Sequence, residues 1–175
     1  MLTRKHTKDI TNIRVEMTMS RKNTLIVLAG ISGCGKSTFA KYLLEISKQK
    51  ETAIAIACPD LIREKLYGDA SIQGNGKKVF QMAFNIVELS GKIKADCVFD
   101  ATNTTKKARR KVIEKANPHF DFILCYYFAP DLTQSITNQK KRERQVPIDV
   151  VVRQVNKWET PTIDEGFDYV CELKY

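Results

Sequence analysis

The chain has 175 residues, a length that fits one domain and buries a continuous core without disulfide or metal staples. Hydrophobic residues make up 43% and charged residues 28%, ordinary for a soluble protein, and no apolar run approaches the ~20 residues of a membrane span. A formal net charge of +9 points toward a polyanionic partner such as nucleic acid, because lysine and arginine near phosphates release condensed counterions.

Residues 1–23 read as a basic arm, with Arg4, Lys5, Lys8, Arg14, Arg21 and Lys22 against Asp9 and Glu16. The segment lacks the apolar core of a secretory signal, so a nucleic-acid-facing or floppy extension is expected. The five cysteines, Cys34, Cys58, Cys97, Cys125 and Cys171, contain no C-x-x-C pair and mostly sit in apolar runs, which suggests a reducing, cytoplasmic setting.

From residue 24 onward, short apolar runs alternate with helical patterns, as βαβ units and a largely parallel sheet require. The spacing predicts a strand over 24–29 and a helix from 36 to about 48, with Phe39, Ala40, Leu43, Leu44 and Ile46 as its apolar stripe. "TAIAIAC" is the second strand, and "PDLIREKLY" (59–67) a short helix with proline in its first turn. After the break "GDASIQGNG", Phe80, Ala83, Phe84 and Val87 recur at i, i+3, i+4 and i+7, which predicts a packed helix from 77 to about 93. "DCVFD" is a strand, 105–116 a basic helix, and "FDFILCYYF" a strand expected at the centre of the sheet. A helix is expected from 131 to about 139, a charged loop at "KKRERQVP" (140–147), a helix from 148 to about 158, and a last strand in "GFDYVCELKY".

The chemistry concentrates at strand ends. "GISGCGKS", between the first strand and its helix, fits G-x-x-x-x-G-K-[S/T], a P-loop. Gly30, Gly33 and Gly35 let successive N–H groups converge on phosphates, and Ser32, Cys34 and Thr38 fall within the same nucleotide-binding stretch. Lys36 can reach the β- and γ-phosphates, and Ser37 is placed to ligate Mg²⁺. Cys34 reads as a small tolerated side chain rather than a redox handle.

Asp60 and Arg63 share one face of the short helix after the second strand, where a carboxylate orients an acceptor hydroxyl and an arginine clamps an anion on the same substrate. A capping acid beside a surface arginine is the competing reading. Asp100 ends the third strand beside Thr102 and Asn103, either as a magnesium- or acceptor-positioning acid or as part of a self-satisfied turn. The basic loop 140–147 is a lid or a solvated charge run. The helix "TKKARRKVIEK" either contacts a phosphate backbone or is an exposed face.

With "GISGCGKS", "PDLIREKLYGD", "FDATNTTKKARR", "RERQVPIDVV" and "WETPTIDEGFDYV" in this order, the region from Thr24 onward resembles the P-loop kinases of the 5′-hydroxyl polynucleotide kinase group and related kinases of bacteria and their phages. The resemblance implies an α/β P-loop kinase fold with a mainly parallel sheet of about five strands, ATP and Mg²⁺ held through Lys36 and Ser37, and nucleic acid as acceptor. It further implies Asp60 as acceptor-activating carboxylate, Arg63 as acceptor-phosphate contact, Asp100 as active-site acid, and Arg142 or Arg144 as lid arginine. Related sequences often carry an arginine-asparagine pair before the lid, where this chain reads "TNQKKRER". The leading expectation is transfer of the γ-phosphoryl group to a polynucleotide 5′-hydroxyl. Hydroxymethylated pyrimidines in DNA, a small nucleoside or metabolite, and an ATP-dependent binding switch without transfer are the alternatives.

Overall fold

The computed structural model describes residues 22–174. The expected basic arm lies outside the described residues except for Lys22 and Asn23. Asn23 is buried, its Nδ2 donating to His119 O at 2.9 Å and Gly91 O at 3.3 Å, so the packed chain begins ahead of the first strand.

In chain order the elements are β1 (Thr24–Ala29), α1 (Lys36–Gln49), β2 (Ile54–Ala57), α2 (Pro59–Tyr67), α3 (Gly76–Lys92), β3 (Asp96–Asp100), α4 (Lys106–Ala116), β4 (Phe122–Tyr127), α5 (Leu132–Lys140), α6 (Ile148–Asn156), a 3₁₀ turn (Ile163–Glu165) and β5 (Tyr169–Glu172). The strands form one parallel sheet in the order β2-β3-β1-β4-β5. The central place therefore belongs to β1. The strand in "FDFILCYYF" is interior but one position off centre, because β5 and not a longer array closes that side.

Alternation along β1 divides the core. Leu25, Val27 and Ala29 pack with Ala57, Val79, Ala83, Val87, Phe99, Val112 and Ile113 under α2, α3 and α4. Ile26 and Leu28 pack with Phe39, Ala40, Leu43, Tyr126 and Val151 under α1 and α6. Burial on both faces is why β1 reads as an unbroken apolar run instead of an alternating one. The result is a three-layer α/β/α sandwich in which every strand ends at the same edge of the sheet.

Two local readings change. The buried stripe of α3 is Val79, Ala83, Val87, Ser90 and Gly91: Ala83 and Val87 are where the expected stripe has them and Phe84 packs against the core, but Val79 takes the place of Phe80, which is 38% exposed. The basic helix α4 is not an open face throughout. Arg109 is fully buried on the stripe shared with Val112, Ile113 and Ala116. Its Nε and Nη2 donate to the two Glu165 carboxylate oxygens at 2.7 Å each, and Nη1 donates to Asn103 O at 2.9 Å.

Candidate active site

The loop after β1 turns through Gly33 (φ +89°) and Gly35 (φ +96°), left-handed geometry that strains any side chain. A Cβ on Gly33 would also lie 2.6 Å from Ser135 O. Gly35 is the N-cap of α1 and offers no side chain to its first turn. The free N–H groups and positive end of α1 therefore face the loop mouth, the donor set an anion needs. A polyphosphate fits this cradle.

Two distant segments hold the loop in shape. Ser32 N donates to Gln154 Oε1 of α6 at 2.7 Å, and Asn138 Nδ2 of α5 donates to Gly33 O at 3.0 Å. Gln139, next to Asn138, accepts from Val146 N at 2.7 Å and so ties the end of the lid to the same helix. Sequence reasoning missed all three. The only signal was the "TNQK" segment standing where related sequences place an arginine-asparagine pair. Lys36 Nζ is buried and donates to Gly30 O at 2.9 Å and Ile31 O at 2.8 Å, so reaching a phosphate means exchanging these carbonyls for it.

The β3–α4 connection is stitched to β1. Gly30 N donates to Thr102 O at 2.9 Å, and Asn103, at φ +44°, donates from Nδ2 to Leu28 O at 2.7 Å. Asn103 thus serves the backbone, while Asp100 is freed to face the glycine loop. Burial pushes the Asp100 carboxyl above the ordinary carboxylate range, the Lys36 ammonium, the Ser37 hydroxyl and Arg142 pull it back, and Asp60 adds a smaller upward push. Ser37 and Asp100 form an oxygen pair suited to a hard divalent cation.

On the opposite wall, proline in the first turn of α2 starts the helix directly after β2 and presents Asp60 and Arg63 on one face. Arg63 Nη1 donates to Asp60 Oδ1 at 2.7 Å, and Arg144 of the lid lies 3.5 Å from Asp60 Oδ2. The Asp60 side chain is 57% exposed while that of Arg63 is 11% exposed. Arg63 Nε is buried with no hydrogen-bond partner among the described residues. Cys58, at the head of α2, is raised to about 11 by burial and then by Asp100, so it is a neutral thiol and not a nucleophile.

These walls enclose a cavity of about 320 Å³ that brings together Ser32, Gly33, Gly35, Lys36, Ser37, Asp60, Arg63, Asp100, Thr102, Arg142 and Arg144. Gly30, Cys34, Thr38 and Asn103 do not line it. Cys34 is buried under the loop, and Thr38 is exposed on the first turn of α1. Cys58, Pro59, Gln73, Phe80, Ala101, Val146, Val150 and Gln154 complete the lining.

Residues 25–160 match the family model described as AAA domain (AAA_33). The chain belongs to this AAA-domain family. Its P-loop kinase-type fold recurs in solved structures of low identity. A chain of the Pnkp1/Rnl/Hen1 RNA repair complex superposes with a TM-score of 0.68 at 18% identity over 81% of this chain, which spans 46% of that one. Kti12 from Chaetomium thermophilum, solved with ADP-AlF3, gives 0.64 at 16% identity, covering 86% of this chain and 89% of that one. A gluconokinase from Sinorhizobium meliloti 1021 gives 0.57 at 14% identity, covering 88% and 83%. At these identities the likeness is one of fold. Among the described residues, no helix is long and apolar enough to cross a membrane.

Proposed function

We propose that this protein is an ATP-dependent kinase that transfers the γ-phosphoryl group to a hydroxyl of a nucleic acid, a polynucleotide 5′-hydroxyl in first place. The observation that carries the reading is the Asp60 carboxylate, open to solvent on the wall of the same cavity whose floor is the glycine loop. A binding switch or a water-directed ATPase has no need of a carboxylate–arginine pair at that point. Similarity of fold to a chain of an RNA repair complex agrees with this acceptor, and similarity to a gluconokinase keeps small hydroxyl compounds in the test.

In the proposed step the acceptor oxygen forms a bond to the γ-phosphorus as the bond from that phosphorus to the bridging oxygen of ADP breaks. The hydroxyl proton passes late to Asp60. A carboxylate is a weak base toward an alcohol, but a loose transition state needs little deprotonation, so alignment matters more than basicity. Lys36, released from its loop carbonyls, and Arg142 or Arg144 stabilise charge spreading over the phosphoryl oxygens. Arg63 holds a phosphate of the acceptor through its fork. Ser37 and Asp100 would hold Mg²⁺, which would supply neutralisation of phosphate charge.

Labelled ATP offered with 5′-hydroxyl oligonucleotides, hydroxymethyl-containing duplex, free nucleosides and sugars tests the acceptor. Label at the 5′ end supports the reading, and label on an internal base or on a small molecule replaces it. Asp60→Asn is expected to lower kcat by about 10²–10⁴-fold, the usual weight of a positioned acid or base, with ATP binding retained. Near-normal turnover of that variant removes Asp60 from the mechanism.

A further inference from the structure

Next to the candidate active site lies a second and larger concavity, about 690 Å³, running between α3 and α4. The two cavities share Arg63, Gln73 and Phe80 in their linings, so they adjoin on the Arg63 side of the site. Its floor is apolar and partly aromatic, with Phe80 and Phe84 6.2 Å apart between ring centroids and Phe84 stacked on Phe99 at 5.7 Å. Its rims are basic. Lys77 stands on the α3 side, and Lys107 and Lys111, one helical turn apart, on the α4 side, all exposed. Among the described residues, no aspartate or glutamate lines it.

We propose that this groove carries the nucleotides of a single-stranded acceptor that follow the one being phosphorylated. The proposal rests on the kinase reading above and adds the path of the strand. Three lysines with no counter-charge among the described residues suit a polyanion, and aromatic and apolar faces between them suit bases of any identity, the pairing that sequence-tolerant single-strand binding uses. A duplex would present phosphates on its outside and keep its bases from the floor. A free nucleoside would leave the groove unused.

The test uses the full chain and its Lys107→Ala/Lys111→Ala double variant, with both altered side chains at the surface. For the wild type, KM should fall as a 5′-hydroxyl oligodeoxyadenylate lengthens from two to ten nucleotides. In the double variant the advantage of the ten-mer over the dinucleotide should collapse by about tenfold, with the loss carried by KM. The slope of log binding constant against log salt should flatten by about 1.4, from two single-strand phosphate contacts at ~0.7 each. Equal KM values for dinucleotide and ten-mer in the wild type, or an unchanged salt slope in the variant, would overturn the groove. If the wild type phosphorylates no hydroxyl-ended oligonucleotide, the kinase reading fails by itself, and anisotropy of a labelled ten-mer then judges the groove separately. Salt-sensitive binding that the double variant weakens keeps it; equal binding by both proteins, or tighter binding of polyglutamate than of the ten-mer, rejects it.

Discussion

The carboxylate of Asp60 is open to solvent and ion-paired, whereas those of Asp96 and Asp100 are withdrawn from water. Asp60 lies at the surface beside Arg63 and Arg144. Asp100 accepts a burial cost that the lysine, serine and arginine around the glycine loop only partly offset. Asp96, at the start of β3, shows the same burial cost away from the site: its Oδ1 accepts from Thr24 N at 2.6 Å, but desolvation outweighs that bond and raises its carboxyl above the ordinary value. A carboxyl raised on folding gives its stability below the unfolded value, about 3.9, and loses it as pH climbs through the folded one. Asp96→Asn keeps the acceptor oxygen and removes the charge. Its melting temperature should therefore match wild type near pH 4 and exceed it by a few degrees at pH 7. A gap that closes as pH rises would contradict the assignment of burial as the dominant influence.

Among the elements, α4 shows what periodicity conceals. Positions 109, 112, 113 and 116 form a regular helical stripe, yet a long cation in that stripe is easily taken for part of the solvated face around Lys106, Lys107, Arg110 and Lys111. The clue was present in "TIDEG", since a buried guanidinium needs a fixed carboxylate, and Glu165 supplies it from the 3₁₀ turn. Phe80 erred in the other direction. It fits an i, i+3, i+4, i+7 pattern with Ala83, Phe84 and Val87, but the buried face reaches the same Ala83 and Val87 from Val79, whose smaller side chain lets α3 lie close to the sheet. Strand and helix identities were otherwise legible, because each is set by its own apolar period. Partners 56 residues apart are not. Arg109→Ala should destabilise the fold by about 3–5 kcal/mol by leaving Glu165 buried and unpaired. An Arg109→Met/Glu165→Leu double variant should recover most of that in urea denaturation. A single variant within about 1 kcal/mol of wild type would mean that water reaches the carboxylate.

At the scale of the whole molecule, the parallel order gathers the ends of β1, β2 and β3 at one edge, so the glycine loop, Asp60 and Asp100 meet although the sequence separates them. That meeting was legible, since each motif follows a strand of the same sheet. The shape of the loop itself was not, because Ser32 takes its acceptor from Gln154, 122 residues away, and nothing in either local stretch announces the pair. The hydrogen bond has a functional cost if lost. Gln154→Ala would leave Ser32 N in the cavity without its protein acceptor, free to turn away from the arrangement that points its neighbours at phosphate. A net hydrogen bond contributes about 1 kcal/mol, so ATP affinity measured by calorimetry with Mg²⁺ should fall about fivefold. Asn138→Ala, which releases Gly33 O on the other side of the loop, should act in the same direction. The double variant should lose more affinity than either alone while its melting temperature moves little, because both bonds sit at the rim and not in the core. If both variants bind ATP as wild type does, the loop holds its form through its glycines and α1 alone, and α5 and α6 have no part in preparing the nucleotide site.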